Sequence, residues 1–241
     1  VGLVVGFFAL VIGSQIKPRD PRPATSPPPV VPQGAVFAGA VGALTAPRSA
    51  GHAVVVEWEG QTYGLTTLSV FGEEGIPAPS PAGDLAYFLF DPDQKAVVRV
   101  RRSLPIEGAR RALALGDVGL DLALFELVPS DSYAPLALQE RAPQVGDSIW
   151  AVAKTAEGPE VTLGEIAEVR PERLTVFVAK RDVGGWAGSP WLNSAGEVVG
   201  LTSQAEEGKD ALLVYVLPST QIVTLLPSGS LEDARPSAGP S

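Results

Sequence analysis

The sequence predicts an all-β fold, a barrel or a sandwich of short strands, set behind a single N-terminal transmembrane helix. Three observations lead there. From residue 35 onward, short apolar and β-branched runs alternate with Gly, Pro and Asp turns. Between residues 35 and 203 no convincing amphipathic stretch exceeds three helical turns. Ahead of both lies an uncharged apolar run over residues 1–16.

Composition narrows the function classes. With 241 residues the chain is long enough for one large or two small domains around a substantial core. It has no Cys, so disulfides and thiolate metal sites are excluded, and its single His excludes a His-cluster site. No metal or other cofactor is expected. Acidic residues outnumber basic ones by 27 to 18, which argues against nucleic-acid binding, whose footprint is a basic face.

Taken in order, residues 1–16 are somewhat shorter than the ~20 apolar residues that span a bilayer, and they read as a membrane anchor. Lys17, Arg19 and Arg22 follow at once, and by the positive-inside rule they would hold the globular part in the cytoplasm. Residues 17–33 contain seven Pro and almost nothing that packs, the composition of an extended, semi-rigid spacer. A first β unit is expected over 34–128, with strands at 35–44, 53–58, 62–66, 85–90, 96–102 and 120–127. Val54, Val55 and Val56 are too continuous for a half-solvated strand and suit a barrel interior. The polar, Pro-containing stretch 129–143 is the seam between two halves. A second β unit over 144–226 has strands at 145–152, 160–170, 174–179 and 212–217, then a short helix over 221–226 capped by Pro218-Ser219-Thr220. The Ser/Pro/Gly-rich tail 227–241 reads as disordered. Arg99, Arg101, Arg102, Arg110 and Arg111 form a local basic region that fits lipid headgroups, an acidic partner or simply a solvated loop.

Residues 184–203 read Gly-Gly-Trp-Ala-Gly-Ser-Pro-Trp-Leu-Asn-Ser-Ala-Gly-Glu-Val-Val-Gly-Leu-Thr-Ser, a Gly-rich loop followed by strand, turn and strand. This stretch resembles the nucleophile-bearing segment of trypsin-like serine proteases, closest in pattern to the bacterial heat-shock type. Other landmarks fall in the same order. Gly51-His52-Ala53-Val54-Val55-Val56 is similar to the strand that opens that family's first barrel, and Gly64-Leu65-Thr66-Thr67-Leu68-Ser69-Val70 to its His-bearing stretch. Asp121-Leu122-Ala123-Leu124-Phe125 is similar to the strand that begins with the orienting Asp. Val145-Gly146-Asp147, residues 161–166 and Val216-Leu217-Pro218-Ser219 resemble second-barrel segments. The resemblance covers about residues 35–226 and implies two six-stranded antiparallel β-barrels.

It also implies a degenerate triad. Ser69 stands where the family has its catalytic His, Asp121 at the orienting Asp, and Ala187 at the nucleophilic Ser. Acyl transfer by that mechanism needs a hydroxyl, an imidazole to take its proton and a carboxylate to orient the imidazole. An Ala methyl forms no covalent intermediate, and a Ser hydroxyl is no base near neutral pH. Ser189 follows two residues after Ala187, at a position that in the family faces away from substrate. His52 reads as a structural or surface residue. Gly185, Trp186, Ala187 and Trp191 are the candidate interaction surface: backbone N–H groups of the loop for a partner peptide, and two large amphipathic rings, Trp186 being read as filling the old cleft.

The expectation is therefore a non-catalytic, membrane-anchored pseudoprotease domain, a structural or interaction subunit of a membrane protein complex. Its partners would be other membrane subunits and peptide segments in the relic cleft, with no nucleic acid. It would be single-pass in the cell membrane through residues 1–16, the domain periplasmic or otherwise extracytoplasmic unless the basic residues after the anchor hold it inside. Two alternatives stand beside it: an active serine hydrolase using unconventional residues, and a secreted peptide-binding module whose N-terminal run is only a signal.

Overall fold

The structure of the protein is a computed structural model that describes residues 20–24, 26–41, 48–74, 87–91, 96–112, 116, 119–179, 186–207 and 211–227. Among the described residues thirteen strands form two sheets, followed by one short α-helix. The first sheet contains β1 (Val36–Val41), β2 (Arg48–Trp58), β3 (Gln61–Thr66), β4 (Tyr87–Asp91), β5 (Ala96–Leu104), β6 (Ala123–Leu127) and β7 (Leu136–Ala137). The second contains β8 (Ser148–Thr155), β9 (Gly158–Arg170), β10 (Arg173–Ala179), β11 (Pro190–Leu192), β12 (Val198–Glu207) and β13 (Ala211–Pro218), and α1 (Ser219–Ile222) follows it.

Only the second sheet is a simple closed six-stranded antiparallel barrel, in the order β10-β13-β12-β11-β8-β9. The first departs from the expected six-stranded barrel. It is a seven-stranded sheet ordered β1-β4-β5-β6-β3-β2-β7, in which β1 also pairs with β2. The cause is the length of β2. Its N-terminal part, up to Val54, pairs with β1, and beyond that Val56 and Glu57 pair in parallel with Leu136 and Ala137 of β7. The inter-barrel connection thus covers a strand edge that β1 is too short to reach.

The transmembrane helix expected over residues 1–16 lies outside the described residues, and among those described no helix is long and apolar enough to cross a membrane. The single-pass anchor, the cell-membrane location and the membrane-complex partners all rested on that helix, so the fold carries none of them. The stretch 17–33 also differs from a free spacer. Arg22 is bonded to Glu165 of β9, and Pro29 is buried. The tail beyond residue 227 lies outside the described residues.

Three apolar clusters hold the molecule. One fills the second barrel with Ile149, Ile166, Trp191, Val214 and their neighbours, and one fills the first sheet with Phe37, Val55, Leu89 and Phe125. The third lies between them, where Val54, Val56, Leu65 and Leu124 meet Phe177, Leu192, Leu201 and Leu217. This explains the continuous Val54-Val55-Val56 run. Val55 enters the first core while its two neighbours face the second barrel, so both strand faces are dry. The β2–β3 hairpin turns on Glu59 and Gly60, both at positive φ (48° and 75°), the geometry that matches strand twist in a two-residue hairpin.

Candidate functional site

Ser69 and Asp121 are brought together by strand register. Thr66 pairs with Ala123 at the end of β3 and start of β6, so the chain leaving β3 meets the chain entering β6. Past Thr66 the backbone winds into a 3₁₀ segment, Leu68–Glu74, and its free N-terminal amides need acceptors. Asp121 supplies them. Its Oδ1 accepts from the Ser69 amide at 2.9 Å, and its Oδ2 accepts from the Ser69 hydroxyl at 2.7 Å.

A third residue completes the cluster. Ser203, on β12 of the second barrel, donates its hydroxyl to the same Oδ2. Asp121 is 0% exposed, and Ser203 is buried. Burial pushes the Asp121 carboxyl above its ordinary value, and the bonds from Ser203, Ser69 and the Leu68 amide offset part of that rise. The carboxylate therefore serves as an acceptor for groups from both sheets, and no imidazole lies among its partners. Sequence reasoning assigned no role to Ser203. Its only signal was a polar Thr-Ser pair following the apolar run Val198-Val199-Gly200-Leu201.

Ala187 sits in a turn that crosses to the first sheet. Ser189 N donates to Trp186 O at 2.8 Å, and Gly188, at φ +78°, donates to Thr202 O at 2.8 Å. The His52 amide donates to Ala187 O at 2.8 Å, while the Thr66 hydroxyl donates to His52 O at 2.5 Å. Gly51 shows how close the surfaces come. A Cβ there would lie 2.3 Å from Ala187 O and 2.7 Å from Val70 Cγ1. The turn at 187 and the segment after Ser69 thus flank one glycine, bringing the three triad-like positions into one neighbourhood. Ala187 contributes only a half-buried methyl. The His52 ring nitrogen Nε2 lies 3.4 Å from Lys154 O, away from Asp121's bonded set.

Of the residues singled out as an interaction surface, Gly185 lies outside the described residues. Trp186 and Trp191 are 7% and 0% exposed, and both belong to the core of the second barrel. Their rings meet edge-on at 6.4 Å, the arrangement favoured by aromatic quadrupoles, and Trp191 Nε1 donates to the Thr202 hydroxyl at 2.9 Å. Trp186, read from the sequence as filling the old cleft, packs into the second-barrel core. Ser189 is fully buried, its hydroxyl without a partner among the described residues. Among the described residues no group of three or more His, Cys, Asp or Glu is placed to hold a metal ion. In the basic region, Arg101 and Arg102 both bind Glu126 at 2.6 Å. Burial pushes that carboxyl up, but the bonds and charges of Arg102 and Arg101 outweigh it and hold the group below its ordinary value.

The family model described as a trypsin-like peptidase domain matches residues 51–201. No curated protein matches the chain. Solved structures of similar fold include a serine endoprotease from Yersinia pestis, at 19% identity and a TM-score of 0.56, with 80% of this chain and 61% of that one covered. Neuropsin, a serine protease expressed in the limbic system of mouse brain, aligns at 16% identity and a TM-score of 0.57, covering 80% of this chain and 92% of that one. An inactive form of a serine-to-alanine mutant protein from M. tuberculosis H37Rv aligns at 14% and 0.52, covering 82% and 90%. At such identities the structural likeness is one of fold, and the chain spans 61% of the length of the Yersinia pestis protein.

Proposed function

Because this chain belongs to the trypsin-like peptidase domain family, which its residues 51–201 match, we propose that it is a member without hydrolytic activity, in which the former catalytic positions clasp the two halves together. The observation that carries this reading is the bonding of Asp121. One carboxylate accepts hydroxyls from Ser69 of the first half and Ser203 of the second, and the Ser69 amide as well. A carboxylate in the family's mechanism orients an imidazole. Here the neighbour is a hydroxyl, and the turn that would carry the nucleophile presents Ala187.

One observation favours a second reading, an active hydrolase: the Ser69 hydroxyl is 2.7 Å from a carboxylate whose proton affinity burial has raised. Two features weigh against it. Asp121 shares its Oδ2 between two serines and is closed off from solvent. A general base also works best with a pKa near the operating pH, and a carboxylate is far less basic than the alkoxide it would have to release.

Incubation of the intact protein with a fluorophosphonate probe and with unstructured casein separates the two. Neither labelling nor cleavage is expected, and the Ser69→Ala variant should match the wild type. Stoichiometric labelling of one serine, or specific cleavage abolished by Ser69→Ala, would sink the non-hydrolytic reading.

A further inference from the structure

We propose that the described residues 20–24 and 26–33 form a releasable strap, latched to the outer face of the second barrel by the Arg22–Glu165 ion pair and walling a polar cavity beside it. Glu165 lies on β9 between Gly164 and Ile166. Both neighbours face the barrel interior, Gly164 against Trp191 and Ile166 within the core. Side chains alternate along a strand, so Glu165 points outward. Its side chain is nevertheless 3% exposed, and an outward residue is buried only by something laid over the barrel.

The strap supplies that cover. The Arg22 amide donates to Glu165 Oε2 at 2.8 Å, and the Arg22 guanidinium reaches Oε1 through Nε and Nη2, each at 3.1 Å. Farther along, Ser26 forms part of the wall of a cavity of about 500 Å³, together with Gln139, Asp147, Trp150, Asn193 and Glu197. Pro29 is buried, and Val31 packs on the cluster between the two sheets. The far end is firmly held, because Gly34 O accepts from Ala134 N and Ala35 O from Val55 N.

Between these ends the hold is slight. Among the described residues, 23–31 form no backbone–backbone hydrogen bond. A Pro-rich segment is extended and stiff whether docked or free, so docking gains no new local structure and release loses none. The latch has one solvated partner, since the Arg22 side chain is 68% exposed, and salt therefore screens it. Lifting the strap withdraws the Arg22 amide and guanidinium from the Glu165 carboxylate. These features make a two-state element with its hinge at 32–34. In the lifted state the Glu165 carboxylate loses its Arg22 donors, and the cavity loses the wall that Ser26 provides.

Hydrogen exchange read by mass spectrometry on the full chain tests this. In Arg22→Ala and in Glu165→Gln, the amide of residue 22, which donates to Glu165 in the docked strap, should exchange about tenfold faster or more, with those of β8 and β9 unchanged. Raising salt to about 1 M should move the wild type the same way. Equal exchange in the wild type and Arg22→Ala would overturn the latch. Parallel loss of protection in β8 and β9 would overturn releasability, because strap and barrel would then open as one unit. Arg22 is a solvent-facing residue, so its variant reports on the latch even where Glu165→Gln perturbs the barrel.

Discussion

Gly188 stands so close to the His52 carbonyl that a Cβ built on it would lie 2.1 Å from that oxygen and 2.3 Å from the Thr66 hydroxyl. Its φ is +78°, a region where an L side chain meets its own backbone. Gly188→Ala is expected to lose about 2–5 kcal/mol, from left-handed strain of about 1–2 kcal/mol and overpacking of about 1–3 kcal/mol. Urea unfolding at constant m-value measures it. A loss below about 1 kcal/mol would mean that the 186–189 turn moves off β2 at little cost.

Asp121 has a distinctive pH signature. Burial raises its folded pKa above the ordinary 3.8, so the folded state holds the proton to higher pH than the unfolded chain does. This group's contribution to stability is therefore full below about pH 3.8 and is lost as pH rises through the raised value. Asp121→Asn removes that titration. The variant's stability relative to wild type should grow as pH climbs from 3.5 towards 7, whatever offset its lost hydrogen bonds impose. Denaturant midpoints of both proteins across that range check this, and parallel pH profiles would refute it.

Gly164 and Trp191 pack as a pair across the second barrel. A methyl on Gly164 would lie 2.5 Å from both Trp191 Cζ3 and Val176 Cγ1. Gly164→Ala should cost about 1–3 kcal/mol by overpacking, and Trp191→Leu about 2–4 kcal/mol through the cavity and the lost bond to Thr202. Together they should cost less than their sum, by about 0.5–2 kcal/mol, because the methyl occupies space the indole vacated. A double-mutant cycle in urea reads the coupling. Strict additivity would show that the two sites relax independently.

Tyr215 is pushed up to about 12, by burial first, then by its hydrogen bond to Glu206 and that residue's charge; Arg173, stacked 5.2 Å from the ring centroid, opposes the rise. A tyrosine that ionises later in the folded state takes stability away as pH rises from 10 through 12. Tyr215→Phe should flatten the alkaline loss of thermal stability over that interval. An unchanged slope would place the loss on other groups.

The parts legible in the sequence were those encoded by local pattern. Turn residues and apolar runs located most strands, and the Val54–Val56 run announced burial on both faces. Motif order singled out Ser69, Asp121 and Ala187 as a set, and the fold brings them into one neighbourhood. What stayed hidden depended on contacts between distant residues. Ser203 reaches Asp121 only because β12 of the second barrel lies against the start of β6, and nothing in a Thr-Ser pair declares that. β7 is two residues long, and its pairing depends on β2 outrunning β1. The Pro218-Ser219-Thr220 cap is not formed. The α1 helix covers Ser219–Ile222 with Pro218, which has no side-chain acceptor, at its N-cap, and the Ser219 hydroxyl, inside the helix, donates to Gln139 O at 2.5 Å. The Pro-rich stretch looked free because Arg22 and Glu165 are 143 residues apart in the chain.

The connection between the two sheets behaves as a seam. Leu136 and Ala137 join β2, Leu138 bridges to Val198 of β12, and Gln139 donates its amide to Val198 O at 2.9 Å. Every one of these attachments lies before residue 140, while 141–146 are mostly solvent-facing. A protease cut between 141 and 146 would leave the first fragment still stitched to the second through the shared core. The nicked protein should therefore elute and melt as one particle. Separately produced halves should find each other without a covalent tie, which makes this chain a natural candidate for a split-protein reporter.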